Sequence, residues 1–135
     1  MTLDEITTLV KANNQSTLFS DEFVICLIWK ESTFDPTQVA GTSTATGLMQ
    51  MTKAAVAMVN ANSPKGVHFT HADMTDASKC IQCGTRYLDI CKTKMGGIDT
   101  PYGTGPGYSK NIIACETCMK DDSQHPQAAL FKIHP

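Results

Sequence analysis

The sequence predicts an all-α fold, with at most a minor β element in the loops. Three observations support this class. Apolar residues recur at helical spacing in several segments, these segments open with capping residues, and they close at glycine, asparagine or proline. No segment alternates apolar and polar residues as a half-buried strand would.

Five helices are expected along the chain, at about residues 2–13, 20–32, 52–59, 76–95 and 109–119. Thr2 and Glu5 form a capping box for the first helix, and Ser20 is the expected N-cap of the second. The segment 65–75 shows no clear period. Residues 120–135 read as a polar tail with an apolar end, which either packs on the body or leads to a further domain.

Composition limits the classes of protein. A chain of 135 residues with 41% hydrophobic content suits one domain, 1–135, and we expect a monomer. The net charge of −2 and a single arginine, Arg86, argue against nucleic acid as a partner. No apolar run approaches the roughly 20 residues of a membrane span. The N-terminus lacks a secretory signal, so either a signal has been removed or export uses another route.

The cysteines allow two interpretations. There are six: Cys26, Cys80, Cys83, Cys91, Cys115 and Cys118. Two CxxC pairs permit a four-cysteine zinc site, whereas six cysteines also permit three disulfides. Several of them share a narrow helical stripe, while zinc ribbons place their cysteine pairs on turns. We therefore expect disulfides and an oxidising working environment.

Glu31 is the main candidate for catalysis. It closes a strongly apolar helix and shares a face with Phe23, Leu27 and Ile28. Burial and the negative end of the helix dipole both favour the neutral acid, so we expect a raised pKa and a general acid. The alternative is an exposed glutamate at a frayed helix end.

The order of four motifs resembles the soluble lytic transglycosylases and the goose-type lysozymes. Glu31-Ser-x-Phe-x-Pro is followed by Gly47-Leu-Met-Gln, by Gly84-Thr-Arg-Tyr-Leu, and by Tyr102-Gly-Thr-Gly-Pro-Gly. The resemblance covers about residues 20–114. It implies a lysozyme-like helical fold with a sugar cleft, and cleavage of the β-1,4 bond between N-acetylmuramic acid and N-acetylglucosamine in peptidoglycan.

By this resemblance Glu31 is the catalytic acid. It would protonate the glycosidic oxygen and then, as a carboxylate, take the proton from the sugar 6-hydroxyl, which gives a 1,6-anhydro product. Hydrolysis by a muramidase is the runner-up, because it needs a second carboxylate, for which Asp73 and Asp76 are candidates. Asp35 is expected to cap its own loop. No cofactor is expected.

The resemblance also implies residues that contact the sugar. These are Gln50, Met49, Tyr102, Ser32 and Tyr87, of which Tyr87 matches a mostly structural position. Tyr102 could stack on a sugar or bond to Glu31. Gly103 stands where the family has asparagine, and the loop serine of the family falls on Ala40 or Gly41, with Ser43 as a substitute.

Several hypotheses about the biological setting remain. A compact, cysteine-rich wall enzyme without cationic charge suggests an antibacterial effector of type VI secretion, which acts in the periplasm and has a cognate immunity or inhibitor protein. Enzymes that open the wall for a phage or a conjugation apparatus are the nearby alternatives. The second class is a non-catalytic wall-binding or zinc-stabilised module. His68 and His71 form an HxxH pair that we read as solvated loop residues, with no metal.

Overall fold

A computed structural model describes all residues, 1–135, and confirms the all-α prediction. The six α-helices are α1 (Leu3–Asn13), α2 (Asp21–Ser32), α3 (Lys53–Ala61), α4 (Ala77–Lys94), α5 (Lys110–Asp121) and α6 (Pro126–Leu130), and a 3₁₀ helix spans His71–Thr75. The only β structure is a pair of isolated antiparallel bridges that join Thr46 to Val39 and to Met51.

The helices begin where their capping residues predict. Thr2 accepts a bond from the backbone N–H of Glu5, whose side chain bonds back to the Thr2 N–H, which completes the capping box. Ser20, Thr52 and Asp76 cap α2, α3 and α4 through a single bond each, which the side chain accepts from the backbone N–H three residues later. The ends are less well predicted, since α3 and α5 each run two residues beyond the expected bounds.

The core is built around α2. Every residue from Phe23 to Ile28 is buried, so this helix is apolar on all sides and runs through the interior. Its main neighbours are α5 on one side and α1 on the other, while α4 packs on α1 and α3. Glu31 therefore stands at the end of the most enclosed helix of the protein.

The C-terminal tail packs on the body of the protein. Residues Pro126–Leu130 form α6, which lies against α5. Ala129, Leu130 and Ile133 are buried and belong to the same core cluster as α2. The apolar end of the tail thus completes the core. No helix of the chain combines the length and the apolarity that crossing a membrane requires.

The expectation of disulfides is confirmed in part. Of the three bridges that six cysteines permit, one forms, between Cys26 of α2 and Cys115 of α5. Cys80, Cys83 and Cys91 are buried free thiols, and Cys118 is a half-buried one. The physical reason is that α4 packs against α1, α3 and the 3₁₀ helix, none of which carries a cysteine.

The four-cysteine zinc arrangement is not assembled either. Cys115 is oxidised in the bridge to Cys26. No group of three or more histidine, cysteine, aspartate or glutamate side chains is placed to hold a metal ion. Burial raises the pKa of the Cys80 thiol to about 11 and that of Cys83 to about 12, which makes both thiols inert near neutral pH.

Candidate active site

Glu31 lies in the last turn of α2 with its side chain half-buried. The Tyr108 hydroxyl donates a hydrogen bond of 2.8 Å to Glu31 Oε2. Burial raises the pKa of Glu31, while the Tyr108 bond and the charge of Lys30 lower it, and burial is the larger effect. The carboxyl group is thus biased toward the proton-bearing form that a general acid needs.

Helix α2 ends abruptly just after Glu31. Thr33 and Phe34 have φ values of 49° and 68°, two consecutive residues in the left-handed region. The Phe34 side chain is buried against Trp29, and the Phe34 carbonyl accepts a 2.8 Å bond from the N-terminal ammonium group. Asp35 then caps the following turn by accepting bonds from Thr37, as expected. This turn fixes the direction in which Glu31 leaves the helix.

Ser32 ties the end of α2 to the Gly47–Gln50 turn. Its hydroxyl group lies 2.8 Å from the Leu48 carbonyl oxygen and 3.1 Å from that of Ile28. The residue is only 1% exposed. The structure therefore places Ser32 beneath the surface, where its hydroxyl group joins the end of α2 to the turn.

The Gly47–Gln50 turn depends on two backbone positions. Gly47 has a φ of 84°, and a Cβ there would overlap the Met74 carbonyl oxygen. Gln50 also has a positive φ, 51°, and its amide N–H group donates to the carbonyls of Gln38 and Gly47, each at 3.0 Å. The Gln50 side-chain oxygen has no protein partner. Met49 is fully buried beneath the turn.

The rings of Tyr87, Tyr102 and Tyr108 lie next to one another beside the Gly47–Gln50 turn. The Tyr102 hydroxyl donates to the Met49 carbonyl at 2.7 Å, and the Tyr87 hydroxyl donates to the Pro101 carbonyl at 3.3 Å. Tyr102 is half-buried and has its ring centroid 5.5 Å from that of Tyr87 and 6.4 Å from that of Tyr108. The partner of Tyr102 is thus a backbone carbonyl, and the tyrosine that bonds to Glu31 is Tyr108. Tyr87 is 9% exposed, in keeping with a structural position.

Comparison with known proteins identifies the family. The model of the transglycosylase SLT domain matches residues 8–117, from α1 to near the end of α5. The chain belongs to this family. Membership implies lytic transglycosylase activity on peptidoglycan, and such a substrate implies action outside the cytoplasm. Neither the curated proteins nor the solved structures contain a match to the chain.

The two carboxylates that were candidates for activating water, Asp73 and Asp76, are engaged elsewhere in this SLT domain. Asp73 accepts a bond of 2.8 Å from the Thr70 N–H and pairs with Lys79, and Asp76 caps α4. Backbone hydrogen bonds lower the pKa of Asp73, as they do for Asp35. No second carboxylate is bonded to Glu31. The candidates for a water-activating group are therefore held as helix and turn caps.

The two histidines of the HxxH pair have different surroundings in the SLT domain, and His71 is half-buried in the 3₁₀ helix, not the solvated loop residue that was expected. His71 Nε2 lies 2.7 Å from the Thr44 carbonyl oxygen and 3.1 Å from that of Met51, so it braces the loop before the Gly47–Gln50 turn. His68 is exposed and has no protein partner. Neither histidine approaches Glu31 through a hydrogen bond.

The main surface grooves of the SLT domain lie away from Glu31. One of about 410 Å³ lies next to the glycine-rich loop of residues 102–108, and Ile98, Asp99 and Ser109 contribute to its wall. Glu31 does not line this groove. The surroundings of Glu31 are thus held together by hydrogen bonds among α2, the Gly47–Gln50 turn and the loop of residues 102–108.

Sequence reasoning did not find the role of Tyr108. This residue follows the glycine-rich loop and precedes α5, so no helical period linked it to the face of Glu31. The available signal was a second aromatic residue at the end of the glycine-rich loop that begins with Tyr102, for which a sugar contact was expected. Only the folded chain shows which tyrosine of the loop reaches Glu31.

Proposed function

We propose that this SLT domain cleaves the β-1,4 bond between N-acetylmuramic acid and N-acetylglucosamine, with Glu31 as both acid and base. The observation that carries the proposal is a half-buried carboxyl group with a raised pKa and one side-chain hydrogen bond, from Tyr108. A single carboxylate suits a reaction in which the substrate supplies its own nucleophile. The family implies such a reaction.

In the first step protonated Glu31 gives its proton to the glycosidic oxygen. The bond from that oxygen to the muramic acid anomeric carbon breaks, and the acetamido oxygen of the same sugar bonds to this carbon. In the second step the Glu31 carboxylate takes the proton from the 6-hydroxyl. The 6-oxygen then displaces the acetamido oxygen, which leaves a 1,6-anhydro ring and returns Glu31 to its protonated state.

Gln50 and Tyr102 are the proposed sugar contacts. The Gln50 side-chain oxygen has no protein partner and can accept a bond from an N-acetyl N–H or a hydroxyl group. Tyr102 is half-buried, and the exposed part of its ring is the proposed apolar contact for a sugar. Ser32, Met49 and Tyr87 support this surface from beneath, so their substitution would act on the shape of the site.

The test of the catalytic role compares the wild type with Glu31→Gln. Glutamine keeps the size of the side chain but cannot donate a carboxyl proton, so release of soluble muropeptides should fall by about 10²–10⁴-fold. Glu22→Gln on the same helix is the matched control, because Glu22 makes no hydrogen bond or ion pair. Circular dichroism checks that both variants are folded. Full activity in Glu31→Gln would refute the role.

A muramidase reaction is the alternative chemistry. It would require a carboxylate that activates water opposite Glu31. The capping bonds of Asp73 and Asp76 disfavour this reading, since each carboxylate is engaged with backbone N–H groups. A non-catalytic wall-binding module is disfavoured by the half-buried Glu31 with its raised pKa, which binding alone does not need.

We further propose an antibacterial effector that is delivered by type VI secretion to the periplasm and neutralised by a cognate immunity protein. The support is the Cys26–Cys115 bridge, which an oxidising compartment maintains, and the absence of a strongly cationic charge. Export of the wild type to the periplasm should lyse cells, and export of Glu31→Gln should not. Harmless export of an active enzyme would contradict the effector role.

A further inference from the structure

Tyr108 has a defined place beside Glu31. Its side chain is 5% exposed, and its hydroxyl donates to Glu31 Oε2 at 2.8 Å. Lys30 of the same helix holds its ammonium group 5.2 Å from the Tyr108 ring centroid, which is a cation–π distance. The ring is therefore held by α2 on one face while its hydroxyl group engages the carboxylate.

Gly103 creates the space for this ring. A Cβ at position 103 would overlap three atoms of the Tyr108 ring, Cγ, Cδ1 and Cδ2. The backbone at Gly103 does not adopt a positive φ, so conformation alone does not require glycine there. The requirement is steric: any larger residue, including an asparagine, would displace Tyr108.

The backbone on both sides of Tyr108 is fixed by one carboxylate. Asp99 accepts a bond from the Ser109 N–H at 2.9 Å and another from the Gly107 N–H at 3.3 Å. Tyr108 is followed directly by α5, which the Cys26–Cys115 bridge joins to the helix that carries Glu31. Glu31 and Tyr108 are thus attached to α2 and α5, the two helices that the disulfide joins.

We propose that Tyr108 is a positioning residue for Glu31, and that Gly103 stands where the family has asparagine because it admits the Tyr108 ring. The hydroxyl group keeps the carboxylate in one orientation between the two proton transfers. The part of this inference that concerns the reaction rests on the proposed role of Glu31. The contact itself can be tested without activity.

The first test follows the titration of the Glu31 carboxyl carbon by NMR. Three titratable groups act on Glu31 or lie beside it: Lys30 on its own helix, and Tyr108 and Tyr102 on the loop. Tyr108→Phe keeps the ring and removes the donor to the carboxylate, so the Glu31 pKa should rise by about one unit. Tyr102→Phe is the matched control, because its hydroxyl group bonds to a backbone carbonyl, and it should leave the Glu31 pKa unchanged.

The second test examines the role of Gly103 through a double-variant comparison. In Gly103→Ala the displaced Tyr108 hydroxyl no longer reaches Glu31, so adding Tyr108→Phe should cause no further shift. The steric role of Gly103 would be overturned if Tyr108→Phe raised the Glu31 pKa as much in the Gly103→Ala background as it does in the wild type. An unchanged Glu31 pKa in Tyr108→Phe would overturn the positioning contact.

Kinetics separate this inference from the proposed function. If Tyr108 positions the carboxylate, Tyr108→Phe should lower kcat by about tenfold with little change in KM, and should move the alkaline limb of the pH profile upward. If Glu31→Gln keeps full activity while the titration shift is present, the proposed function fails and the contact stands. If Glu31→Gln is inactive and Tyr108→Phe keeps the wild-type kcat and pH profile, the positioning role fails.

Discussion

The Cys26–Cys115 bridge should provide a large part of the stability of the protein. It joins residues that are 89 positions apart in the sequence, so it closes most of the chain into a loop. Restricting the unfolded chain by a loop of that length stabilises the folded state by about 4.6 kcal/mol on the chain-entropy relation. Cys26→Ala/Cys115→Ala should therefore lower the free energy of unfolding by about 4–5 kcal/mol and the Tm by about 15 °C.

Urea unfolding, followed by circular dichroism under non-reducing conditions, measures this loss. Cys118→Ala is the matched control, since Cys118 is a half-buried free thiol in the same helix as Cys115. Its unfolding free energy should change by less than about 1 kcal/mol. The reasoning would be refuted if the double variant were as stable as Cys118→Ala. It would also be refuted if reduction lowered the unfolding free energy of the double variant as much as that of the wild type.

Three further outcomes follow from local geometry. Gly47→Ala should lower the free energy of unfolding by at least about 2 kcal/mol more than Gly66→Ala does. Both glycines have a positive φ, but only a Cβ at position 47 would meet another atom. Equal losses in the two variants would contradict this. Gly84→Ala should lose about 1–3 kcal/mol, because its Cβ would press on the buried Met49 side chain; denaturant unfolding with no loss would contradict the packing. The kcat/KM should fall as pH rises through the raised pKa of Glu31, where its proton is lost, and a rate that rises there would contradict its role as acid.

Much of the helical fold could be predicted because its signals are local. Ser20 caps α2 through a bond to the residue three positions later, and the apolar run from Phe23 to Ile28 is long enough to mark a buried helix. The position of Glu31 beside the core followed from the same helical period. The 3₁₀ helix and α6 were missed because five residues are too few to show a period.

The parts that could not be predicted depend on contacts between distant residues. The pairing of Cys26 with Cys115 follows from the packing of α2 on α5, and no local pattern encodes it. The same holds for Tyr108, which is 77 positions from Glu31. Met49 and Ser32 each lie within a motif of the family, yet both side chains are buried. Sequence motifs therefore indicated the candidate site but not the direction of each side chain.

The central claim is that Glu31 serves both proton transfers while the substrate supplies the nucleophile. The most direct test is mass spectrometry of the muropeptides that the wild type releases from purified peptidoglycan in heavy-oxygen water. A lytic transglycosylase predicts products that are lighter than reducing muropeptides by one water and carry no label. Reducing products with heavy oxygen at the anomeric carbon would contradict the claim and would mean that water, activated by another group, attacks the sugar.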